Sequence, residues 1–178
     1  MTKPAASKGD FGMRFFKVVA LAVFSCLLMA GSAFGVCTVN TTAVNFGNYD
    51  VLSGAANDAT GTITVTCNPN ENVDVAIGAS PTSGGFSPRQ IKHSALPDLL
   101  NYNVFTNNGR ATIWGDGTGA TNVVTRNNVG AGGYTFTAYG RIPELQNVSG
   151  GVYTESLVVT VYRKNTAVVL ATGSLTIT

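Results

Sequence analysis

The chain has 178 residues, 44% of them hydrophobic and only 11% charged, with 21 glycines and a formal net charge of +2. That length holds one domain with a genuine core. Most of the basic excess lies in the first 35 residues: residues 36–178 carry seven basic and eight acidic side chains, net −1, which excludes the basic stripe that nucleic-acid binding requires.

Residues 1–35 read as a secretory signal. Lys3, Lys8, Arg14 and Lys17 form a basic n-region, Val18 to Ala30 an apolar core of thirteen residues, and Gly31 to Gly35 a small-residue cleavage region. The apolar run is shorter than the ~20 residues that span a bilayer. Cleavage is expected after Gly35 or Ala33, leaving 36–178 as one exported domain with no stable membrane span. Cys26 lies inside the apolar run and is removed with it. Cys37 and Cys67 remain, and an even count in an exported chain reads as one disulfide. Closing a loop of about 30 residues contributes roughly 3–4 kcal/mol in the chain-entropy model.

In chain order, short β-rich runs alternate with turn clusters, and no stretch holds a helical period. That is the pattern of an all-β sandwich or barrel with about seven to nine strands. Val36 to Asn40 starts the first strand, and Val44 to Gly47 continues the edge. Asn57 to Gly61 reads as a turn. Thr62 to Cys67 alternates, with Ile63, Val65 and Cys67 inward. Asn68 to Asn72 is a turn, and Val73, Val75 and Ile77 form the next alternating set. Residues 78–88 read as a surface loop. Only Ala95 to Leu99 suggests a helical turn, which Pro97 limits. Leu99 to Thr106 is a strand, Asn107 to Arg110 a turn, and Ile113-Trp114 a short strand. Residues 120–132 are polar and glycine-rich. Tyr134 to Ile142 is a long strand stopped by Pro143.

The clearest strand is 152–162, with Leu157, Val159 and Val161 on one face and Ser156, Val158 and Thr160 on the other. Such a strand needs partners to satisfy its backbone and cover its dry face. Two further β runs follow, Ala167 to Ala171 and Ser174 to Thr178, with a break expected at Gly173.

Candidate chemistry is sparse. Gly115-Asp116-Gly117-Thr118-Gly119 lacks the helix and lysine of a phosphate loop and the spaced carboxylates of a calcium loop, so it reads as a turn needing positive φ at glycine. His93, the only histidine, reads as a loop residue without metal partners. Asp98, Asp116, Glu144 and Glu155 show no catalytic spacing. Asn40-Thr41-Thr42 and Asn147-Val148-Ser149 match glycosylation sequons. No catalytic residue, cofactor or metal ligand is expected, and no enzymatic activity.

An ordered set of segments carries a resemblance. These are Cys37-Thr38-Val39, Val44 to Asp50, Gly61 to Cys67, Arg89, Leu100 to Phe105, Trp114 to Gly119, Tyr139 to Ile142, Gln146 and Gly151 to Val161. In that order they resemble the spore coat protein U domain family, which includes subunits of archaic chaperone–usher pili. The resemblance implies an immunoglobulin-like β-sandwich, pilin-like, with a disulfide between its first two strands. In pilus members the last strand is missing. The groove is filled first by a periplasmic chaperone and then by another subunit's N-terminal strand.

For this chain the resemblance implies a strand-acceptor groove lined by Phe46, Ile63, Val65, Leu157, Val159 and Val161. Implied partners are a periplasmic chaperone, an outer-membrane usher and other fibre subunits. The implied destination is the cell surface by way of the periplasm. Two features differ from the pilus pattern. Only Val36 separates the expected cleavage site from Cys37, so no N-terminal donor strand is expected, which fits a tip or terminating subunit. The family usually ends near Tyr162, whereas this chain continues from Arg163 to Thr178. Three functions stay open: a fibre subunit for adhesion and biofilm, a self-complemented spore-coat structural protein, and a carbohydrate-binding adhesin using Trp114, Tyr134 and Tyr139.

Overall fold

A computed structural model describes residues 35–178, and these form one compact unit. The expected signal, Gly35 apart, lies outside the described residues. Eleven strands make up the domain, and among the described residues there is no helix. They are β1 (Val36–Thr42), β2 (Asn57–Asn68), β3 (Glu71–Ile77), β4 (Arg89–His93), β5 (Leu99–Phe105), β6 (Ile113–Trp114), β7 (Thr121–Asn122), β8 (Val124–Val129), β9 (Tyr134–Ile142), β10 (Tyr153–Arg163) and β11 (Val169–Ile177).

Two layers face each other. One has the order β1-β2-β9-β5, with β6 on the far edge of β5. The other has the order β11-β10-β3-β8, and β4 links the layers by pairing with both β5 and β10. This is the immunoglobulin-like sandwich expected, with two strands of only two residues beyond the count. The core follows the period-two patterns. Ile63, Val65 and Cys67 of β2, Val73, Val75 and Ile77 of β3, and Leu157, Val159 and Val161 of β10 are all fully buried. Cys37 lies opposite Cys67 in the β1–β2 ladder, and the two are bonded.

Four local expectations are corrected. Residues 57–61 are not a turn but the start of β2, held in ladder by β9 from Ile142 back to Ala138. Residues 78–93 are not all loop: β4 pairs with β5. Residues 121–129 form β7 and β8. β8 is an edge strand, and its exposed Thr125, Arg126 and Asn127 disguise it. Residues 95–99 make bends rather than a helical turn.

Candidate functional site: the seat of the C-terminal strand

The dry face of β10 is covered by β11. The two strands run antiparallel, with Leu157 opposite Leu175, Val159 opposite Gly173 and Val161 opposite Ala171. Leu175 and Ile177 are fully buried. Main-chain ladders close both edges of the seat. On the side away from β10, Val44 N donates to Thr176 O at 2.9 Å, Phe46 N to Thr178 O at 2.8 Å, and Thr178 N to Val44 O at 3.1 Å. The Thr41 hydroxyl adds a bond to Ser174 O at 2.6 Å.

β11 is continuous through Gly173. A Cβ there would stand 2.7 Å from Val39 Cγ1, so glycine allows β1 to close on β11 instead of breaking it. The connection back to β10 is tight. Arg163 N donates to Val168 O at 2.9 Å, and Asp74 accepts from Asn165 N at 2.9 Å, with Asn165 at φ 59°. Asparagine tolerates that left-handed conformation better than most residues.

Of the expected groove residues, Leu157, Val159 and Val161 form the floor under β11, and Phe46 stands at its end. Ile63 and Val65 lie on β2 in the opposite layer, fully buried. Val44, Gly173, Leu175 and Ile177 belong to the same seat and were not singled out from the sequence. Their signal was there, in the alternation of Leu175 and Ile177 with Ser174 and Thr176.

A buried polar knot closes one end of the core. Arg89, fully buried, donates to Ile77 O, Gly78 O, Trp114 O and Asn103 Oδ1, the last two at 2.8 Å. Burial pulls its guanidinium down to about 10, so it stays cationic at neutral pH. Glu155 accepts from the Ser80 hydroxyl at 2.7 Å, from Thr82 N at 3.1 Å and from the Tyr102 hydroxyl at 2.5 Å. Burial first, and the bond to Glu155 second, push the Tyr102 phenol far above its ordinary range. Among the described residues no buried side-chain nitrogen or oxygen lacks a partner.

The remaining candidates resolve into structural roles. Trp114 is fully buried with its indole N–H on Val75 O at 2.8 Å, so it offers no sugar-stacking face. Tyr134 stacks against Arg126, and Tyr139 faces Arg110. His93 is not in a loop; it ends β4, nearly buried, and Nδ1 accepts from Ala95 N and Leu96 N. Gln146 bonds both main-chain groups of Asn101, and Tyr49 joins Pro143 O to Gln146 N. Gly117 and Gly119 have positive φ, at 87° and 59°. Asp116 caps its own turn through Thr118, which lowers its carboxyl.

The model of the Spore Coat Protein U domain matches residues 16–160, so β11 lies beyond the matched span. No curated protein matches in sequence. Among solved structures, the chain is similar to one in the complex of the CsuC chaperone with the CsuE tip adhesion subunit, from archaic Csu pili of Acinetobacter baumannii. Identity is 21%, with 72% of this chain and 39% of that chain covered and a TM-score of 0.50; this chain thus spans well under half the length of that one. AggA, the major subunit of Escherichia coli aggregative adherence fimbriae type I, is 17% identical over 83% of this chain and 95% of that chain, with a TM-score of 0.48. The CssB subunit of the enterotoxigenic Escherichia coli factor CS6 is 21% identical over 79% and 95%, with a TM-score of 0.47. With the family model matching most of its length, the chain belongs to the spore coat protein U domain family.

Proposed function

We propose that the protein is a non-enzymatic structural subunit of an exported cell-surface assembly, with its sandwich completed by its own C-terminal strand. One observation carries this reading: β11 pairs with β10 from Glu155 to Tyr162 and buries Leu175 and Ile177 completely. Without it, Leu157, Val159 and Val161 would face water as an apolar strip beside an unpaired strand edge, which is an aggregation site. With it, the domain needs no strand lent by a chaperone or a neighbour. It serves as a coat-type building block or as the terminating subunit of a fibre, reaching the surface through the periplasm.

A second reading keeps the chaperone, the usher and neighbouring fibre subunits as partners. The fold likeness to a pilus tip subunit solved with its chaperone favours it. In that reading Phe46, Leu157, Val159 and Val161 receive a foreign strand and β11 must leave its seat.

The deciding experiment exports the chain into a periplasm that lacks a cognate chaperone. The expected product is a soluble monomer with one cooperative unfolding transition. Removing residues 164–178 should give aggregate, and a peptide of that sequence added in trans should restore soluble protein. A full chain that accumulates only with a chaperone, or a truncated one that is stable alone, would sink the self-completed reading.

A further inference from the structure

Where β11 ends, a cavity of about 290 Å³ opens between Thr178, the segment 46–51 and the segment 148–151. Its floor is apolar: Phe46, Ile91, Leu100 and Ile142 line it and are each 7% exposed or less. Its two tyrosines have no free hydroxyl to offer. Tyr49 Oη donates to Pro143 O and accepts from Gln146 N, and Tyr153 Oη donates to Ser149 O. The volume falls at the lower edge of small-molecule pockets and suits a single side chain.

The register shows what kind of group would arrive there. Gly173, Leu175 and Ile177 occupy successive inward positions, and Ile177 lies opposite Glu155. The next inward position on that line faces Tyr153, a wall of the cavity. Ser94 N bonds Val152 O on the β4 edge of β10. Alternation in the antiparallel ladder then turns the N–H and C=O of Tyr153 toward the other edge, the one β11 occupies further along. Opposite, the ladder of Val44 and Phe46 with the end of β11 runs directly into Gly47, Asn48 and Tyr49, which also line the cavity. The cavity is thus a short strand slot, with a main-chain edge on each side and an apolar floor, continuous with the seat of β11.

We propose that this slot binds one apolar residue of an extended segment from a partner subunit, placed end to end with β11. The proposal rests on reading the protein as an assembling subunit. Two flanking strand edges select an extended backbone over a free small molecule. Saturated tyrosine hydroxyls and a floor of isoleucine, leucine and phenylalanine select an apolar side chain over a sugar. A single residue binds weakly alone, and tethering within an assembly multiplies its effect through effective concentration.

The test is methyl and amide NMR on the exported protein, titrated with the peptides acetyl-Thr-Phe-Thr-amide and acetyl-Thr-Asp-Thr-amide. The phenylalanine peptide should shift the methyls of Ile91, Leu100 and Ile142 and the amides of Asn48 and Tyr153. It should bind on the order of tenfold or more tighter than the aspartate peptide. Val148→Trp, at the half-buried rim, should abolish those shifts while the β11 amides keep their native positions. The proposal is overturned by no shift in a protein with a native spectrum, by equal shifts from the two peptides, or by shifts unchanged in V148W. Shifts running along Leu157, Val159 and Val161 with loss of β11 exchange protection would mean that the peptide displaces β11. That outcome overturns the proposed function as well, whereas the other three leave it standing.

Discussion

One face of β10 is held by two kinds of physics a few residues apart. From Leu157 to Val161 it meets β11 through apolar side chains and a main-chain ladder. At Glu155 the same face meets hydroxyls and an N–H from Tyr102, Ser80 and Thr82, and Arg89 lies close enough to feel its charge. The apolar seat asks for shape and a period of two, so other strands with that pattern could occupy it. The polar knot asks for particular donors at particular angles and is costly when half satisfied. The replaceable and the irreplaceable parts of this fold are therefore neighbours on a single strand.

Breaking the knot should cost most. Arg89→Met keeps the volume but strands buried acceptors on Ile77, Gly78, Trp114 and Asn103, and should lower stability by about 3–5 kcal/mol, as breaking a buried charge network does. Arg89→Lys should recover only part, because an ammonium cannot reproduce the planar fork. Urea midpoints measure both, and a loss under about 1 kcal/mol for R89M would deny the knot its role. The seat should be more forgiving. Ile177→Ala should cost about 3 kcal/mol through the cavity it leaves, whereas Ile177→Val should cost less than about 1.5 kcal/mol. If the valine and alanine variants lose equally, shape tolerance is not what distinguishes the two regions.

The same contrast governs what the sequence disclosed. β9, β10 and the inner half of β2 were legible because hydrophobicity with a period of two reports burial directly. The disulfide was legible from cysteine count and export. β4 was hidden because two of its three inward residues are Arg89 and His93. Their burial depends on partners brought from Gly78, Asn103, Trp114 and the 94–98 segment, which no local pattern encodes. Trp114 was misread for a related reason: its indole finds Val75 O across the sandwich. The tail was legible as β structure, but not its destination. That depends on Val44 and Phe46, more than a hundred residues earlier, turning from β1 to line its other side.

Smaller effects sharpen the picture on the β1 side of the seat. Gly173→Val places a Cβ 2.7 Å from Val39 Cγ1 and should cost about 1–3 kcal/mol by overpacking. Val39→Ala in the same chain should restore part of that loss, because the two side chains compete for one space. Simple additivity of the two changes would mean that β1 does not close on β11.

The smallest expected effect is at the surface, where Asp58 joins β2 to β9. Arg141 donates to both carboxylate oxygens, at 2.7 and 2.8 Å, and Arg110 Nε approaches at 3.2 Å. The bond from Arg141, with the nearby charge of Arg110, holds the Asp58 carboxyl below its ordinary 3.8. A carboxyl depressed in the folded state contributes stability that is fully present above the unfolded value and is lost as pH falls through the folded one. Asp58→Asn should therefore cost less than about 1 kcal/mol at neutral pH, since the pair is partly exposed and screened. The gap between wild type and D58N should narrow once pH drops past 3.8 and should shrink with added salt. Melting curves across pH and ionic strength test this, and a gap independent of both would assign Asp58 a packing role in place of an electrostatic one.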